Sequence, residues 1–193
     1  MIHRIPFIIG LAMALGVFGL APNRASAQTF RIDPIHSWIT FQIKHLQVAD
    51  AWGQATGPKG TINIDADPSR ISFDVQVPAD GIMTGNSGRD THLKGPDFFD
   101  AKQFPAISFK STAVKMNGQD YEVTGDFTLH GVTKSITVTL RKSGERDTGG
   151  QTGYRAGFEG TFTIKRSDHG MGAMQNIIGD DATIHLSLEA QRQ

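Results

Sequence analysis

The sequence predicts an all-β protein in which eight antiparallel strands form an up-and-down barrel. Eight segments alternate apolar and polar residues with the period of two that a half-buried strand requires. Their connections have hairpin length, and a short helical lid segment, residues 86–100, is the main interruption. One-sided strands without covering helices must close into a barrel or pair as a sandwich, and segments of about ten residues favour closure.

The strand segments follow one another with clear turn signals. Asp65 to Pro68 has strong turn chemistry, Asn117-Gly118 is the best hairpin signal, and Gly131 turns the chain again. In the lid segment, Leu93, Phe98 and Phe99 are apolar anchors that can plug a core. In chain order, the predicted strands are residues 37–45, 60–64, 71–77, 105–113, 121–129, 132–140, 154–164 and 182–188.

Small residues at inward positions predict that the barrel is hollow. Bends or bulges at barrel corners explain any single one of them about as well. Together they favour a cavity with aliphatic and phenyl walls, which suits a long apolar ligand. These inward small residues are Ser111, Ala113, Gly125, Ala156, Gly160 and Ala182.

The first 27 residues have the three parts of a secretory signal peptide. A basic start at residues 1–4 is followed by an apolar run at residues 5–20 and a small-x-small site at residues 25–27. The apolar run is shorter than the roughly 20 residues of a membrane span. We therefore expect cleavage after Ala27, a bacterial-type periplasmic location, and one mature domain of 166 residues, 28–193.

Charge and cysteine content exclude several function classes. Without Arg4 and Arg24, 17 basic residues remain against 19 acidic ones, so the mature net charge is −2 and gives no electrostatic basis for binding nucleic acid. The chain has no cysteine, which excludes disulfides and thiolate metal sites. The six mature histidines lack the spacing of a known zinc motif, so we expect no metal site.

Three of those histidines fall on predicted strands or their ends. His130 and His185 fall on outward faces, where we expect them to be solvated. His45 lies in the inward register of its strand. A hydrogen-bonded core histidine and a contact to a ligand head group both stay open for His45.

Polar residues of the lid segment suggest several different roles. Arg89, Asp90 and His92 could act as an acid-base set on an ester or pyrophosphate, although no nucleophile elbow accompanies them. Alternatively, Asp90 or a neighbour caps the helix and Arg89 pairs with a carboxylate. Arg89 could also face a phosphate or quinone oxygen at the barrel mouth. Trp38 and Trp52 are open between half-buried aromatics and contacts to membrane lipid.

Five stretches of the sequence resemble the YceI family, which comprises exported proteins that bind polyisoprenoid lipids in a lipocalin-like barrel. The stretches begin at Ile32, Arg89, Phe104, Val123 and Arg166, and they read IDPIHSWITFQIKHL, RDTHLKGPDFFD, FPAISFKST, VTGDFTLHGVTK and RSDHGM. They span the mature chain in the family's order. The resemblance implies a lipocalin-like barrel, an isoprenoid-type ligand and no established catalysis. Residues 52–58 and His169 depart from the family pattern. These departures leave the shape of the cavity mouth open.

The sequence therefore predicts a periplasmic protein that sequesters or transports one long-chain isoprenoid lipid, of polyprenyl or quinone type. We expect no catalytic residue, metal or cofactor, a monomer or homodimer, and transient contact with membranes. A periplasmic hydrolase and a filled barrel that acts through its surface, as a stress or interaction module, are the alternatives. The expected ligand-binding residues are Phe41, Ile43, His45, Phe73, Arg89, His92, Phe109, Gly125, Phe127, Phe158 and Phe162.

Overall fold

A computed structural model describes residues 27–193. The segment expected to be a signal peptide, residues 1–27, therefore lies outside the described residues except for its last position. Within 27–193, no helix combines the length and the apolar character needed to cross a membrane. One α-helix, α1, spans Ser87–Leu93. The strands are β1 (Gln28–Ile32), β2 (Trp38–His45), β3 (Ala49–Ala55), β4 (Lys59–Ile64), β5 (Ser72–Pro78), β6 (Ile82–Met83), β7 (Ala106–Asn117), β8 (Asp120–Leu129), β9 (Val132–Asp147), β10 (Tyr154–Lys165) and β11 (Ile178–Arg192).

All strand pairings are antiparallel, and they close the sheet into the predicted eight-stranded barrel. β1 and β2 together act as one bent barrel strand, because both pair with β11. β1 pairs with the last residues of β11, and β2 pairs with the earlier ones. β3 and β4 form a second bent strand, since β3 pairs with β2 and β4 pairs with β1. From β4 the order continues through β5, β7, β8, β9, β10 and β11. The strands that close the barrel thus all lie between residues 28 and 192, so within the described part of the chain this range contains every pairing that the closed sheet needs.

A β-bulge in β7 changes which side chains face inward. The pairing with β8 shifts by one residue between Ser111 and Ala113. Because a shift of one residue moves every later side chain to the opposite face, Val114 is buried and Ala113 is exposed. The assignment of Ala113 to the inward face is therefore wrong.

One half of the barrel is filled by a packed core. Phe73, Tyr121 and Phe158 meet edge to face there, with ring centroids 5.4 to 6.3 Å apart. Phe30, Phe158 and Ala156 are at most 1% exposed in the same cluster. We call this half, which lies toward the chain termini and the β7–β8 turn, the closed end.

The lid segment covers part of the opposite half, which we call the open end. Asn86 is the N-cap of α1, and its Oδ1 accepts a hydrogen bond from the Arg89 backbone N–H at 2.9 Å. After the helix, Phe98 is buried against Phe127 and Met171, as expected for an apolar anchor. The β2–β3 turn, the β8–β9 turn and the loop between β10 and β11 lie at this same end, because neighbouring antiparallel strands reverse direction.

Candidate functional site

The open half of the barrel contains an apolar cavity of about 550 Å³. This volume falls within the range of roughly 300–1,000 Å³ that is typical of small-molecule sites. Its walls are mostly aliphatic and phenyl side chains, and representative ones are Ile39, Phe41, Ile43, Phe109, Phe127 and Phe162. A filled barrel does not fit this structure, and the expectation of a hollow interior holds for one half of it.

Nine of the eleven residues expected to bind ligand line this cavity. The two others, Gly125 and Phe158, do not line it. Phe158 is fully buried in the closed-end core. At Gly125 an added Cβ would lie 2.6 Å from Phe109 Cζ and 2.6 Å from the Lys110 carbonyl oxygen. Gly125 therefore allows the Phe109 ring to pack on the β8 backbone, and its missing side chain leaves no ligand space.

The sequence analysis missed the cavity wall formed by β3. Ala49, Ala51 and Ala55 line the cavity, and the Phe41 ring lies directly over Gly53. In this strand the small residues at positions 51, 53 and 55 alternate with Asp50, Trp52 and Gln54, so a period-2 signal is present in the sequence. It escaped notice because alanine and glycine are weak strand formers and weak indicators of burial.

Polar side chains of the lid segment stand at the cavity rim but do not form an acid-base set. Arg89 lines the cavity and donates from Nε to Thr84 Oγ1 at 2.7 Å and from Nη2 to the Thr84 carbonyl at 2.9 Å. Asp90 Oδ1 accepts from the Thr84 backbone N–H at 2.7 Å. His92 pairs with Asp97, with Nε2 and Oδ2 3.1 Å apart. Arg89 and Asp90 thus share Thr84 as a partner, whereas His92 is held separately by Asp97.

The contacts bear on two expectations about this segment. The helix cap is Asn86, a neighbour of Asp90 in the lid segment, whereas Asp90 itself accepts a hydrogen bond from Thr84. Among the described residues Arg89 pairs with Thr84 and with no carboxylate, so the expected carboxylate pair is wrong. The arrangement tethers α1 to β6 through Thr84, and it gives no support to the hydrolase alternative.

Arg166 is a buried cationic residue in the cavity wall that the site prediction did not include. It is 4% exposed. Its guanidinium donates to three backbone carbonyls, those of Met171, Ile178 (3.0 Å) and Gly179 (2.8 Å). Burial lowers the pKa of Arg166, and the nearby Asp180 opposes this effect. Arg166 therefore holds the β10–β11 loop in place and also lines the apolar cavity.

Asp180 supports the same loop from the other side. Its carboxylate accepts hydrogen bonds from the Ser167 hydroxyl at 2.8 Å and from the Ser167 backbone N–H at 2.9 Å. These bonds, chiefly the one from the hydroxyl, lower the pKa of Asp180. Arg166 and Asp180 thus hold the two ends of the β10–β11 loop together through hydrogen bonds.

His45 and His169 occupy opposite environments at the open end. His45 is exposed and lines the cavity mouth, so it is not a buried core histidine. His169 is 2% exposed, its Nδ1 lies 3.0 Å from the Val132 carbonyl oxygen, and its ring meets Phe127 edge to face at 5.4 Å. His169 is thus a packed, buried side chain beside Phe127.

The two histidines that were expected to be solvated are both half-buried. The His130 ring packs on Phe104 at 4.7 Å, and its Nδ1 lies 3.2 Å from the His169 carbonyl oxygen. The His185 ring stacks on Trp52 at 5.6 Å on the outer wall, and its Nε2 is buried. The solvated-histidine expectation is therefore wrong for both.

A charged cluster that includes a histidine lies away from the cavity. Asp33, His36 and Glu189 place potential metal-ligand atoms within 4.8 Å of one another. Arg155 Nη1, however, donates to Asp33 Oδ2 at 2.6 Å and to Glu189 Oε1 at 2.9 Å, so a guanidinium already supplies the positive charge. Burial alone would raise the pKa of Asp33, but hydrogen bonds from His36, from Arg155 and from two backbone N–H groups bring it far below its ordinary value. Bonding to Asp33 raises the pKa of His36 in turn.

Known proteins share this barrel. BcnA from Burkholderia cenocepacia superposes with a TM-score of 0.75 at 23% identity, over 83% of this chain and 99% of that chain. A polyisoprenoid binding domain from Saccharophagus degradans, implicated in plant cell wall breakdown, superposes with a TM-score of 0.65 at 14% identity, over 85% and 98%. At these identities, both structures establish a common fold.

Sequence similarity is closer and covers almost the entire barrel. A UPF0312 protein from Pseudomonas aeruginosa is 35% identical over 185 residues, which cover 94% of this chain and 96% of the relative. The model of the YceI-like domain matches residues 30–190, from the middle of β1 nearly to the end of β11. The chain therefore belongs to the YceI-like family.

Proposed function

We propose that this protein is a lipid carrier that holds one isoprenoid chain, of polyprenyl or quinone type, inside the barrel and works in the periplasm. The observation that supports this function best is the apolar cavity of about 550 Å³ in the open half. Its apolar lining suits a hydrocarbon chain, and the polar side chains of His45, Arg89 and His92 stand at the rim, where a head group would lie. The polyisoprenoid binding domain with the same fold and the secretory pattern at residues 1–27 support the same proposal.

The cavity volume limits how much of the chain is enclosed. At about 30 Å³ for a group the size of a water molecule or a methylene, the cavity holds on the order of 18 carbon atoms, or between three and four isoprene units. At about 0.8 kcal/mol per methylene, their burial contributes a gross free energy of roughly 14 kcal/mol. Association itself costs about 4–15 kcal/mol. Binding thus requires a nearly filled cavity, and any further isoprene units must extend through the mouth.

The rim residues favour binding over turnover. Arg89 and His92 line the cavity, but each is held by a different partner, Thr84 and Asp97 respectively. Such fixed side chains can orient a head group at the mouth, Arg89 as a donor to a phosphate or quinone oxygen. They provide no nucleophile with a base beside it.

Organic extraction tests the proposal directly. Protein purified from its own host should release a prenyl lipid in about equimolar amount, which mass spectrometry identifies. Repeated extractions without any prenyl lipid, from cells grown under several conditions, would count against the carrier.

A chain-length series tests the size of the enclosed part. Delipidated barrel, residues 28–193, is titrated with prenols of increasing length. Affinity should rise with each unit up to about four isoprene units and then level off, because further units lie outside the cavity. Equal affinity for short and long prenols would contradict binding by chain burial.

A further inference from the structure

Three exposed apolar side chains stand together at the mouth of the cavity. Val48 is 83% exposed and Leu46 55%, in the turn between β2 and β3. Met174, in the loop between β10 and β11, is 41% exposed. We call Leu46, Val48 and Met174 the apolar rim.

The apolar rim is held out by the backbone. Leu46, Gln47 and Met174 have φ angles of 51°, 57° and 55°, in the left-handed region that bulky residues rarely adopt. Where only turn formation matters, glycine or asparagine is the usual residue in this conformation. Leu46 and Met174 are thus bulky apolar residues at strained backbone positions, and such positions concentrate at functional sites.

Backbone hydrogen bonds join the two parts of the rim. The Leu46 N–H donates to the Ile177 carbonyl at 2.6 Å, and the Val48 N–H donates to the His45 carbonyl at 3.0 Å. The Ile177 and Ile178 N–H groups both donate to the Met174 carbonyl, at 2.9 and 2.8 Å. The turn and the loop thus form one fixed edge.

The rim is continuous with the interior of the cavity. His45 and Ala49, on either side of the turn, line the cavity, and so do Met174 and Ile177. An apolar chain that leaves the cavity on this side therefore moves over the rim before it reaches bulk water.

We propose that the apolar rim docks on a lipid bilayer, with Leu46, Val48 and Met174 inserted among the lipids and the cavity mouth facing them. The proposal rests on the proposed function, because a bilayer is where a water-insoluble isoprenoid chain is found. Docking then lets the chain pass between bilayer and cavity without crossing water.

The size and charge of the rim favour a bilayer over a protein partner. A specific protein interface buries about 800 Å² on each partner, more than three side chains offer, whereas shallow insertion into the lipid interface needs only a few apolar side chains. The charges that flank the turn, Lys44 and Asp50, are paired at 3.0 Å. We therefore expect docking on neutral as well as anionic lipid, with little dependence on salt.

The two tryptophans lie apart from the turn and the loop that carry the apolar rim. Trp52 borders the cavity from β3, and its ring stacks on His185. Trp38 begins β2, seven residues before His45, and so lies roughly 23 Å along the strand from the turn. Contacts of the tryptophans to membrane lipid stay a separate prediction, which docking by the apolar rim does not require.

The test compares two sets of substitutions on residues 28–193. The double variant Leu46→Asn, Val48→Asn removes the two most exposed side chains of the apolar rim, and asparagine suits the left-handed backbone at position 46, so folding should be preserved. Ile35→Asn is the matched control, because Ile35 is 78% exposed but lies in the connection between β1 and β2. Flotation with vesicles of phosphatidylcholine, or of phosphatidylethanolamine and phosphatidylglycerol, measures docking. Transfer of a fluorescent prenol from the same vesicles measures uptake.

Docking predicts that the double variant loses vesicle binding and vesicle-supplied uptake by about tenfold or more, while the control matches the wild type. Prenol supplied in detergent should fill all three proteins equally, which shows that the cavity is intact. Equal flotation of the double variant and the wild type would overturn docking, and so would an equal loss in the control. Wild-type dimerisation without vesicle binding, abolished in the double variant, would overturn it in favour of a second copy of the chain.

A separate outcome concerns the cavity alone. Vesicle binding that depends on Leu46 and Val48, in protein that takes up no prenol from detergent, would support docking while refuting the carrier function.

Discussion

Replacing alanine by phenylalanine at three barrel positions tests where the cavity lies. Ala182 lines the cavity, so Ala182→Phe should place a ring in free space. Filling a void typically stabilises a protein by about 0.5–2 kcal/mol, so the lipid-free variant should be at least as stable as the wild type. The ring displaces roughly six carbon atoms of the ligand, which at about 0.8 kcal/mol each amounts to about 5 kcal/mol. Prenol affinity should therefore fall by about three orders of magnitude.

Two matched variants carry the same substitution outside the cavity. Ala156 is 1% exposed in the packed closed end, so Ala156→Phe should overpack the core and cost about 1–3 kcal/mol or more. Ala113 is exposed because of the bulge in β7, so Ala113→Phe should change stability by less than about 0.5 kcal/mol. The alternation of the sequence places all three alanines on the inward face, so the three variants differ only in what the structure puts around each position.

The assay combines urea unfolding of delipidated protein with prenol binding on the same preparations. A loss of stability in Ala182→Phe comparable to that in Ala156→Phe, with prenol binding retained, would refute the position of the cavity. A large loss in Ala113→Phe would refute the bulge.

Four further substitutions test individual contacts. Gly125→Phe should destabilise the protein by more than about 3 kcal/mol in urea unfolding, because the position is covered by the Phe109 ring; a stable variant that has lost its lipid would contradict this packing. Arg166→Lys should cost about 3 kcal/mol in the same measurement, since an ammonium cannot reproduce the fork that reaches three carbonyls, and an unchanged midpoint would show that this fork contributes little. Asp33→Asn should lower stability by about 1–3 kcal/mol at neutral pH. The pKa of Asp33 is far lower in the folded state than its ordinary value of 3.8, so the stabilisation by ionised Asp33 is complete well above 3.8, begins to decline as the pH falls below 3.8, and is lost only below the folded-state pKa; a difference between wild type and variant that does not shrink between pH 7 and pH 2 would contradict the ion pair. His92→Ala should leave the amount and the chemical form of extracted lipid unchanged, whereas a hydrolase would accumulate uncleaved substrate.

The fold was predictable because most strands of the barrel have one clearly apolar face. β8 shows it well, with Tyr121, Val123, Phe127 and Leu129 buried in alternation. β1 and β3 were missed, because five residues are a short signal and because β3 contains three alanines and a glycine. The bulge in β7 was not predictable, since a register shift depends on pairing with another strand.

The sequence predicted which side chains point into the barrel but not where they lie along the barrel axis. A period of two tells which face a side chain occupies, and it correctly placed Phe41, Phe109 and Phe162 inside the barrel. It contains no information on height along the barrel axis, so Phe158 of the packed end was grouped with residues of the hollow end. Arg166 was missed as a site residue because its burial depends on three carbonyls that tertiary structure brings together.

The division of the barrel into two halves explains how the chain keeps a cavity without disulfide bonds. The closed end supplies a continuous core in which Phe73, Tyr121 and Phe158 interlock. The open end leaves apolar surface unpacked, which weakens it, because side chains that face a void lose their contacts on that side. Its connections are accordingly fixed by polar contacts, those of Arg166 in the β10–β11 loop and those of Thr84 beneath the lid segment. Most of the packed core and most of the ligand space thus lie in different halves of one sheet, and residues such as Phe73 and Leu140 form the boundary, because they belong to the core and also line the cavity.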